Sequence, residues 1–322
     1  MKKLRENKLI LGPCSIENKI QFEQSIIEII KEGYSHIRGG IYKPRTDPNK
    51  FNGLGIEGID IVRELQKRHN FTFYTEISNL TQLEQIRGIK ANIWIGARSS
   101  GDPFTMAQLS EAINPGEFNF IGIKNPIAND SKLWIGAISR FLNKGIKVNP
   151  IFRGFINPHS LYRNEPNWLE LEDFRINLEF NKSDIYIDPS HIAGHRELLK
   201  QIIDYSQYLG YENFIIEAHP CPENALTDAD QQIRIKDLHK YYMPNHAPID
   251  YLRYEFDNID NQIISLLNKR KALSEEIGIV KKAYDLSITD PIRKSLVMSK
   301  WGAYKNVYEE IHSQSVFTQI KI

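Results

Sequence analysis

The chain has 322 residues, of which 41% are hydrophobic, with 41 basic and 40 acidic side chains. This balance excludes a global cationic field for nucleic acid, and no apolar run approaches the roughly 18 residues that a membrane helix needs. The length suits one large domain followed by one small domain. Only two cysteines are present, Cys14 and Cys221, so we expect no disulfide framework and predict a cytoplasmic protein.

Short apolar runs with the character of β-strands alternate with amphipathic segments from the start of the chain to about residue 240. The clearest helical patterns lie at 22–32, 58–68 and 196–209. Eight such strands alternating with helices are typical of a (β/α)8 barrel, which we predict as the α/β fold of this region. The eight strand-like runs are 8–15, 34–43, 71–78, 92–99, 118–125, 147–155, 184–191 and 213–220.

Nearly every one of these runs ends in a side chain that is able to take part in chemistry. A (β/α)8 barrel builds its active site at the carboxyl ends of its strands. One polar strand end would mean little, but a series of eight predicts a single site. The side chains are Cys14, the stretch Arg38 to Arg45, Glu76, Arg98, Lys124, Arg153, His191 and Glu217.

Six of the side chains near the strand ends are cations. A lone arginine is most often a solvated surface residue, but six cations in one barrel mouth would repel each other without an anionic ligand. Guanidinium groups bind phosphate and carboxylate oxygens through two parallel hydrogen bonds, and lysine adds a point charge. We therefore predict one or two substrates with phosphate and carboxylate groups. The six cations are Arg38, Lys43, Arg45, Arg98, Lys124 and Arg153.

Four residues at or just after strand ends form a candidate metal site: Cys14, His191, Glu217 and Asp228. One thiolate, one imidazole and two carboxylates suit a divalent transition metal such as Mn²⁺, Fe²⁺, Co²⁺ or Zn²⁺. These residues lie far apart in the sequence, so without the barrel a buried cysteine and a hydrogen-bonded histidine would be the simpler interpretation. The shared position at strand ends favours the metal site.

Other features near these residues carry less weight. The segment GLGIEG at 53–58 matches a dinucleotide-binding fingerprint, but no strand-like run precedes it, so we do not predict such a site. His195 and His219 lie close to the candidate metal ligands, and each is either a proton-transfer or supporting group or a structural histidine. Cys221, between Pro220 and Pro222, is interpreted as structural.

The sequence pattern changes after residue 240. The segment KYYMPNHAP at 240–248 has the composition of a linker, so we predict domains at 1–243 and 249–322. From Ile249 the periodicity predicts one helix of roughly 30 residues with one apolar stripe. A helix of this length in so short a domain needs a partner to cover its stripe, and we expect a second copy of the chain. The stripe contains Leu252, Phe256, Ile259, Ile263, Leu266, Leu267 and Leu273.

Residues 8–240 resemble 3-deoxy-D-arabino-heptulosonate 7-phosphate (DAHP) synthases of the type I-beta group. The KPRT segment is the specific part, because the sister synthase of 3-deoxy-manno-octulosonate 8-phosphate normally lacks it. That sister activity is a less favoured alternative for the barrel. The motifs that carry the resemblance are GPCSIE, RGGIYKPRTDP, FYTEIS, IGARSS, GIKNP, IFRGF, DPSHIAGHR and EAHPCPENALTDADQQI.

The resemblance implies a metal-dependent condensation of phosphoenolpyruvate with erythrose 4-phosphate, the first step of the shikimate pathway. It implies that Arg38 and Lys43 face phosphoenolpyruvate, and that Arg45 and Thr46 hold the phosphate of erythrose 4-phosphate. Three further cations would hold the phosphate and carboxylate of phosphoenolpyruvate: Arg98, Lys124 and Arg153. The implied metal ligands are Cys14, His191, Glu217 and Asp228, with Mn²⁺ or Fe²⁺ favoured over Co²⁺ or Zn²⁺. The residues expected to take part in catalysis are Lys43, Cys14 and His191.

The tail resembles the all-helical chorismate mutases, through LRYEFDNIDNQIISLLNKRKALSEEIGIVKK and a final segment SVFTQ. The resemblance implies conversion of chorismate to prephenate in an interlocked homodimer, with Arg253 supplied by the partner chain. Lys281 and Gln319 would donate hydrogen bonds to the ether oxygen of the substrate. The implied site residues are Arg253, Arg270, Lys281, Asp290, Arg293, Ser315 and Gln319.

Two departures from the mutase pattern leave an alternative open. The family usually has a glutamate directly after the arginine of its second helix, where it accepts a hydrogen bond from the substrate hydroxyl, but this chain has Lys294 after Arg293. Only 21 residues separate Arg293 from Ser315, so the second helix and its loop are expected to be short. The alternative is a tail that dimerises and senses a ligand without catalysis.

Overall fold

The computed structural model describes residues 9–44, 47, 49–242 and 248–321. In this part of the chain eight parallel strands pair in chain order, and the first pairs with the eighth, which confirms the (β/α)8 barrel. A short ninth strand pairs with the carboxyl end of the eighth. The strands are β1 Leu9–Gly12, β2 His36–Arg38, β3 Thr72–Ile77, β4 Ala91–Ile95, β5 Ile121–Lys124, β6 Asn149–Phe152, β7 Tyr186–Ile187, β8 Asn213–His219 and β9 Ile233–Arg234.

The helices of the barrel begin where the sequence supplies a capping side chain. Asn18, Asn79 and Asp130, for example, each accept a hydrogen bond from a backbone N–H in the first turn of the helix that follows. The helices are α1 Lys19–Lys31, α2 Ile56–Arg68, α3 Leu80–Ile86, α4 Ala97–Ser100, α5 Pro103–Ala112, α6 Ser131–Leu142, α7 Trp168–Asn177, α8 Pro189–Ala193, α9 Arg196–Tyr208 and α10 Leu238–Tyr241.

A cluster of large side chains fills the interior of the barrel, so this region is a packed core and not a channel. The aromatic rings of Tyr74, Phe120 and Tyr186 pack edge to face, with centroids 5.3 and 5.1 Å apart. The remaining members are Ile10, Trp94, Ile151 and Ile215, all buried. Because this cluster fills the interior, the space for a ligand lies at the carboxyl ends of the strands.

Several strands are shorter than their apolar runs, and the polar ends of the runs lie on turns or short helices. β7 contains only Tyr186–Ile187, because Asp188 caps α8 and places His191 inside that helix. Arg98 likewise lies on α4 and not on β4. The side chains are still displayed at the carboxyl end of the barrel, but on segments that follow the strands directly.

The chain divides into two compact units, one up to Leu252 and one from Arg253. The long helix is confirmed as α11 Ile249–Ala283, with 35 residues, and α12 Pro291–Met298 and α13 Lys305–Ile320 follow it. A 3-10 segment, Ser299–Tyr304, joins the last two helices. The predicted linker includes residues 243–247, which lie outside the described residues, so the limits 1–243 and 249–322 stay predictions.

The apolar stripe of α11 is largely exposed in the described chain. Phe256 is 73% exposed and Leu266 is 66% exposed. None of the helices in the described ranges is long and apolar enough to cross a membrane.

Candidate active site

Six of the predicted site residues of the barrel line one cavity of about 440 Å³ at the carboxyl ends of the strands. Its walls combine cations with two of the predicted metal ligands. Two predicted members, Arg45 and Thr46, lie outside the described residues. The predicted residues that line the cavity are Lys43, Arg98, Lys124, Arg153, His191 and Asp228.

Three predicted metal ligands lie close enough to share one ion. The Cys14 thiol, a Glu217 carboxylate oxygen and an Asp228 carboxylate oxygen all lie within 4.8 Å of one another. The fourth, His191, has its Nε2 atom 3.9 Å from Glu217 Oε1. One sulfur, one nitrogen and two carboxylates converging in this way fit a divalent transition metal.

Lys43 lies against the same cluster. Its Nζ atom is 2.6 Å from Cys14 Sγ and 3.1 Å from Asp228 Oδ2. Burial raises the pKa of the Cys14 thiol and the Glu217 charge raises it further, whereas Lys43 opposes the rise. For Asp228 burial also favours the protonated form, but Lys43, His191 and Arg163 hold the pKa of its carboxyl well below the ordinary value. The lysine therefore stabilises the negative form of the cluster.

Glu217 is held in place by a fully buried ion pair. Arg38 Nη2 lies 3.0 Å from Glu217 Oε1, and the guanidinium carbon lies 5.0 Å from the centroid of the Trp94 ring. Burial alone would raise the pKa of Glu217, but Arg38 and the neighbouring cations lower it below its ordinary value. The carboxylate is therefore ionised and available as a ligand.

Two buried arginines keep donors that no described residue accepts. Arg38 Nε and Nη1 have no partner among the described residues, and neither has Arg153 Nη1. Burial lowers the pKa of Arg153 to about 10, and the neighbouring guanidinium groups act in the same direction. Buried donors without acceptors are costly, which is the arrangement expected where an anionic ligand supplies the acceptors.

Asp188 was missed by the sequence analysis and orients two of the predicted residues. It pairs with Lys124 at 2.7 Å and accepts a hydrogen bond from His191 Nδ1 at 3.0 Å. Because Nδ1 is used in this way, Nε2 is the ring atom left to bind a metal. Burial lowers the pKa of His191, which favours the neutral imidazole that a metal requires. The signal was present in the sequence, since Asp188 stands three residues before His191 in DPSH.

The structure also locates the glycine-rich segment, the two further histidines and the second cysteine. No strand lies in residues 49–52, directly before Gly53, and a Cβ on Gly53 would come within 2.2 Å of the Ile41 carbonyl oxygen, so close packing explains this glycine. The buried His219 accepts a hydrogen bond from the Cys221 backbone N–H on Nδ1, while Nε2 lies 3.8 Å from Glu17. His195 is exposed before α9, and Cys221 is half-buried beside Glu223.

In the second unit the predicted mutase residues come together on facing sides of α11 and α13. Arg270 donates hydrogen bonds to the Ile311 carbonyl at 3.0 Å and to Ser315 Oγ. Lys281 Nζ lies 3.3 Å from Gln319 Oε1. Three predicted charged residues lie outside these contacts: Asp290 caps α12 by accepting from the Arg293 N–H, Arg293 lies on α12, and Arg253 lies near the start of α11.

The helical unit departs from the mutase pattern in the length of α12 and in having Lys294 after Arg293. α12 has only eight residues, as the short spacing predicted. His312 was missed by the sequence analysis. Burial lowers its pKa, and the positive charges of Lys294, Arg270 and Lys281 lower it further. This site is therefore rich in cations, with Lys294 among them.

The fold and the site define a (β/α)8-barrel enzyme with a cationic cavity beside a thiol–carboxylate cluster, joined to a helical domain. Residues 5–246 match the model of the DAHP synthetase I family, and residues 252–320 match the model of chorismate mutase type II. The chain belongs to the DAHP synthetase I family. The two resemblances inferred from the sequence are thereby confirmed.

Similar proteins come from Thermotoga maritima. A phospho-2-dehydro-3-deoxyheptonate aldolase is 29% identical over 226 residues, covering 70% of this chain and 64% of that protein. A crystal structure of a DAHP synthase has a TM-score of 0.64 at 25% identity, covering 73% of this chain and 66% of that one. A truncated form of a DAHP synthase shares the fold, with a TM-score of 0.61 at 22% identity over 78% of this chain and 87% of that one. This chain thus spans just under two thirds of the first two relatives.

Proposed function

We propose that the barrel condenses phosphoenolpyruvate with erythrose 4-phosphate to give DAHP and phosphate, with a divalent metal as cofactor. The observation that carries the proposal is the buried Arg38 guanidinium, which binds Glu217 of the Cys14–Glu217–Asp228 cluster and keeps two donors that no described residue accepts. The donors suit the phosphate and carboxylate of phosphoenolpyruvate, and the cluster suits a transition metal. The family membership of residues 5–246 supports the same reaction.

The side chains of the cavity would act mainly by binding and orienting two anions that repel each other in solution. Arg38 and Arg153 offer buried donors that no described residue accepts, and Lys124 pairs with the buried Asp188 carboxylate at 2.7 Å. Orientation of this kind supplies about 7–11 kcal/mol in favourable cases. We interpret Lys43 and Lys124 as charges and not as nucleophiles, because the reaction needs no Schiff base. Arg45 and Thr46 would hold the erythrose phosphate.

The chemical steps require one new carbon–carbon bond and one water. C3 of phosphoenolpyruvate bonds to the aldehyde carbon, the aldehyde oxygen gains a proton, water adds to C2 and inorganic phosphate leaves. A metal held by Cys14, His191, Glu217 and Asp228 would supply a Lewis acid for the aldehyde oxygen. Mn²⁺ and Fe²⁺ are the favoured ions, with Co²⁺ and Zn²⁺ as alternatives.

The test of the barrel is substrate choice. Purified protein supplied with Mn²⁺ should consume phosphoenolpyruvate with erythrose 4-phosphate at least about tenfold faster than with arabinose 5-phosphate. A preference for arabinose 5-phosphate would support the sister synthase of 3-deoxy-manno-octulosonate 8-phosphate instead. Consumption with neither aldehyde would contradict both.

For the helical unit we propose a chorismate mutase that converts chorismate to prephenate. Arg270 and Lys281 supply positive charge for two carboxylates, and Lys281 and Gln319 are donors for the ether oxygen. The alternative is a ligand-sensing domain without catalysis, which Lys294 and the eight-residue α12 favour. Loss of chorismate, followed by absorbance in full-length protein, separates the two: turnover supports the mutase, and binding without turnover supports the sensor.

We further propose that the protein is a homodimer that pairs through the helical unit. The exposed apolar stripe of α11 supports a second copy as its cover. In that arrangement Arg253 would enter the site of the partner chain.

A further inference from the structure

We propose that Gln231 is a positioning residue that aims the Glu217 carboxylate at the metal, and that Arg163 fixes the orientation of Gln231. The inference rests on the proposed metal site. Neither residue was among the predicted site residues, and neither is needed as a ligand. Their role would be to set how tightly the cluster holds its ion.

The Gln231 side chain makes two hydrogen bonds, one to Glu217 and one to Arg163. Its Nε2 atom donates to Glu217 Oε2 at 2.5 Å, and its Oε1 atom accepts from the Arg163 guanidinium. Gln231 is 1% exposed and Glu217 is 0% exposed, so water does not compete for the contact between them, whereas the Arg163 side chain is 44% exposed. Arg38 binds the other oxygen of the same carboxylate, Oε1, at 3.0 Å. The two contacts together fix the plane of the Glu217 carboxylate.

The two charged partners leave one orientation for the Gln231 amide. An ionised carboxylate only accepts hydrogen bonds, so it must face the NH₂ group. A guanidinium only donates, so it must face the amide oxygen. Removing Arg163 would therefore leave one of the two contacts that hold the amide, and would weaken its hold on Glu217.

The surroundings of this pair are built to keep it in place. Asp228 adopts a left-handed backbone with φ 45° directly before the 3-10 turn that carries Gln231. Arg196 anchors that turn by donating to the Ala229 carbonyl at 2.6 Å. On the other side, Gly194 leaves room for Arg163, because a Cβ there would lie 2.5 Å from the Arg163 Cβ. Arg163 Nη1 also lies 3.4 Å from Asp228 Oδ1, so one guanidinium contacts both Gln231 and a second proposed metal ligand.

The test is Mn²⁺ affinity of the metal-free, full-length protein by equilibrium dialysis. Gln231→Met keeps the side-chain length and removes both hydrogen bonds, and we expect its Kd for Mn²⁺ to rise about 10–100-fold. Gln66→Met, the same change at a half-buried position of α2 whose amide donates to the Lys90 carbonyl, should leave the Kd within about twofold of wild type. With Co²⁺ as a probe, Gln231→Met should reach the same thiolate-to-metal absorption band as wild type, but at higher Co²⁺ concentration.

Arg163→Met tests the second half of the proposal. If Arg163 orients the amide, the effect of Gln231→Met should be at least threefold smaller in the Arg163→Met background than in wild type. Independent, multiplicative effects would overturn the role assigned to Arg163.

Glu217→Ala separates this proposal from the proposed function. If Glu217→Ala binds Mn²⁺ like wild type, the metal site is wrong, and the role of Gln231 fails with it. If Glu217→Ala loses binding while Gln231→Met stays within threefold of wild type, the metal site stands and the positioning role is overturned.

Discussion

Arg38 and Glu217 form a buried ion pair of 3.0 Å, with side chains that are 2% and 0% exposed. Removing one partner of a buried pair leaves an uncompensated charge, which typically costs about 3–5 kcal/mol. Arg38→Met should therefore lower the free energy of unfolding of the metal-free barrel by about that amount. Saturating Mn²⁺ should recover part of the loss, because the ion replaces the missing positive charge.

Urea unfolding followed by tryptophan fluorescence measures this effect, since Trp94, Trp134 and Trp168 all lie in the first unit. Arg63→Met is the matched control, because Arg63 pairs with Asp60 on the surface and such pairs contribute at most about 1 kcal/mol. Equal stability of Arg38→Met and wild type would contradict the role of the pair.

Lys294 is the residue that should limit a mutase reaction in the helical unit. The mutases that the tail resembles have a glutamate there to accept a hydrogen bond from the substrate hydroxyl. Lys294→Glu should raise the rate of chorismate consumption by about tenfold or more, which corresponds to about 1.4 kcal/mol in the barrier. Lys300→Glu makes the same charge change after α12 and should have little effect. An unchanged or slower rate in Lys294→Glu would show that another feature limits the reaction.

The pKa of His312 reports on the charge of the same site. Burial and the charges of Lys294, Arg270 and Lys281 lower this pKa in the folded chain. As pH falls through the ordinary histidine value of about 6.5, the unfolded chain takes up a proton before the folded one does. His312 therefore favours unfolding of the helical unit below about pH 6.5.

Lys294→Glu should raise the pKa of His312, because it replaces a positive neighbour by a negative one. Titration of the histidine ring signals by NMR measures the change, with the signal assigned by its loss in His312→Gln. A pKa that stays the same would place Lys294 too far from the imidazole to act on it.

The apolar stripe of α11 should hold two chains together. Light scattering should give twice the chain mass of 37.4 kDa for wild type. Phe256→Glu places a charge in the stripe and should shift the protein towards the monomer at micromolar concentration. Asn268→Glu adds the same charge away from the stripe and should leave the dimer intact. A dimer that survives Phe256→Glu would require a different interface.

The barrel could be predicted from the sequence because its signals are local. Each strand is a short apolar run, and parallel strands end on the same side of a barrel, so polar strand ends predict a common site. This logic placed Lys124, Arg153 and Glu217 around one region although they are far apart in the chain.

Residues that act through other side chains could not be found in the same way. Gln231 and Asn164 lie on loops outside the strand-like runs, and their partners are set only by the closed barrel: Gln231 contacts Glu217, and Asn164 donates to the His191 carbonyl at 2.6 Å. His312 has no sequence signal either, because the cations that surround it come from two other helices. The sequence showed that Lys294 stands where the mutase pattern has a glutamate, but it did not show that Lys294 acts on His312.

The proposed synthase reaction should depend on a bound metal, and a comparison of three proteins with and without Mn²⁺ tests this. Phosphoenolpyruvate consumption with erythrose 4-phosphate should be measured for wild type, Cys14→Ala and Cys221→Ala after chelation and after return of Mn²⁺. We predict that wild type and Cys221→Ala lose activity with the chelator and regain it with Mn²⁺, whereas Cys14→Ala stays at least about 100-fold slower. Full activity in the presence of the chelator, or in Cys14→Ala, would contradict the account.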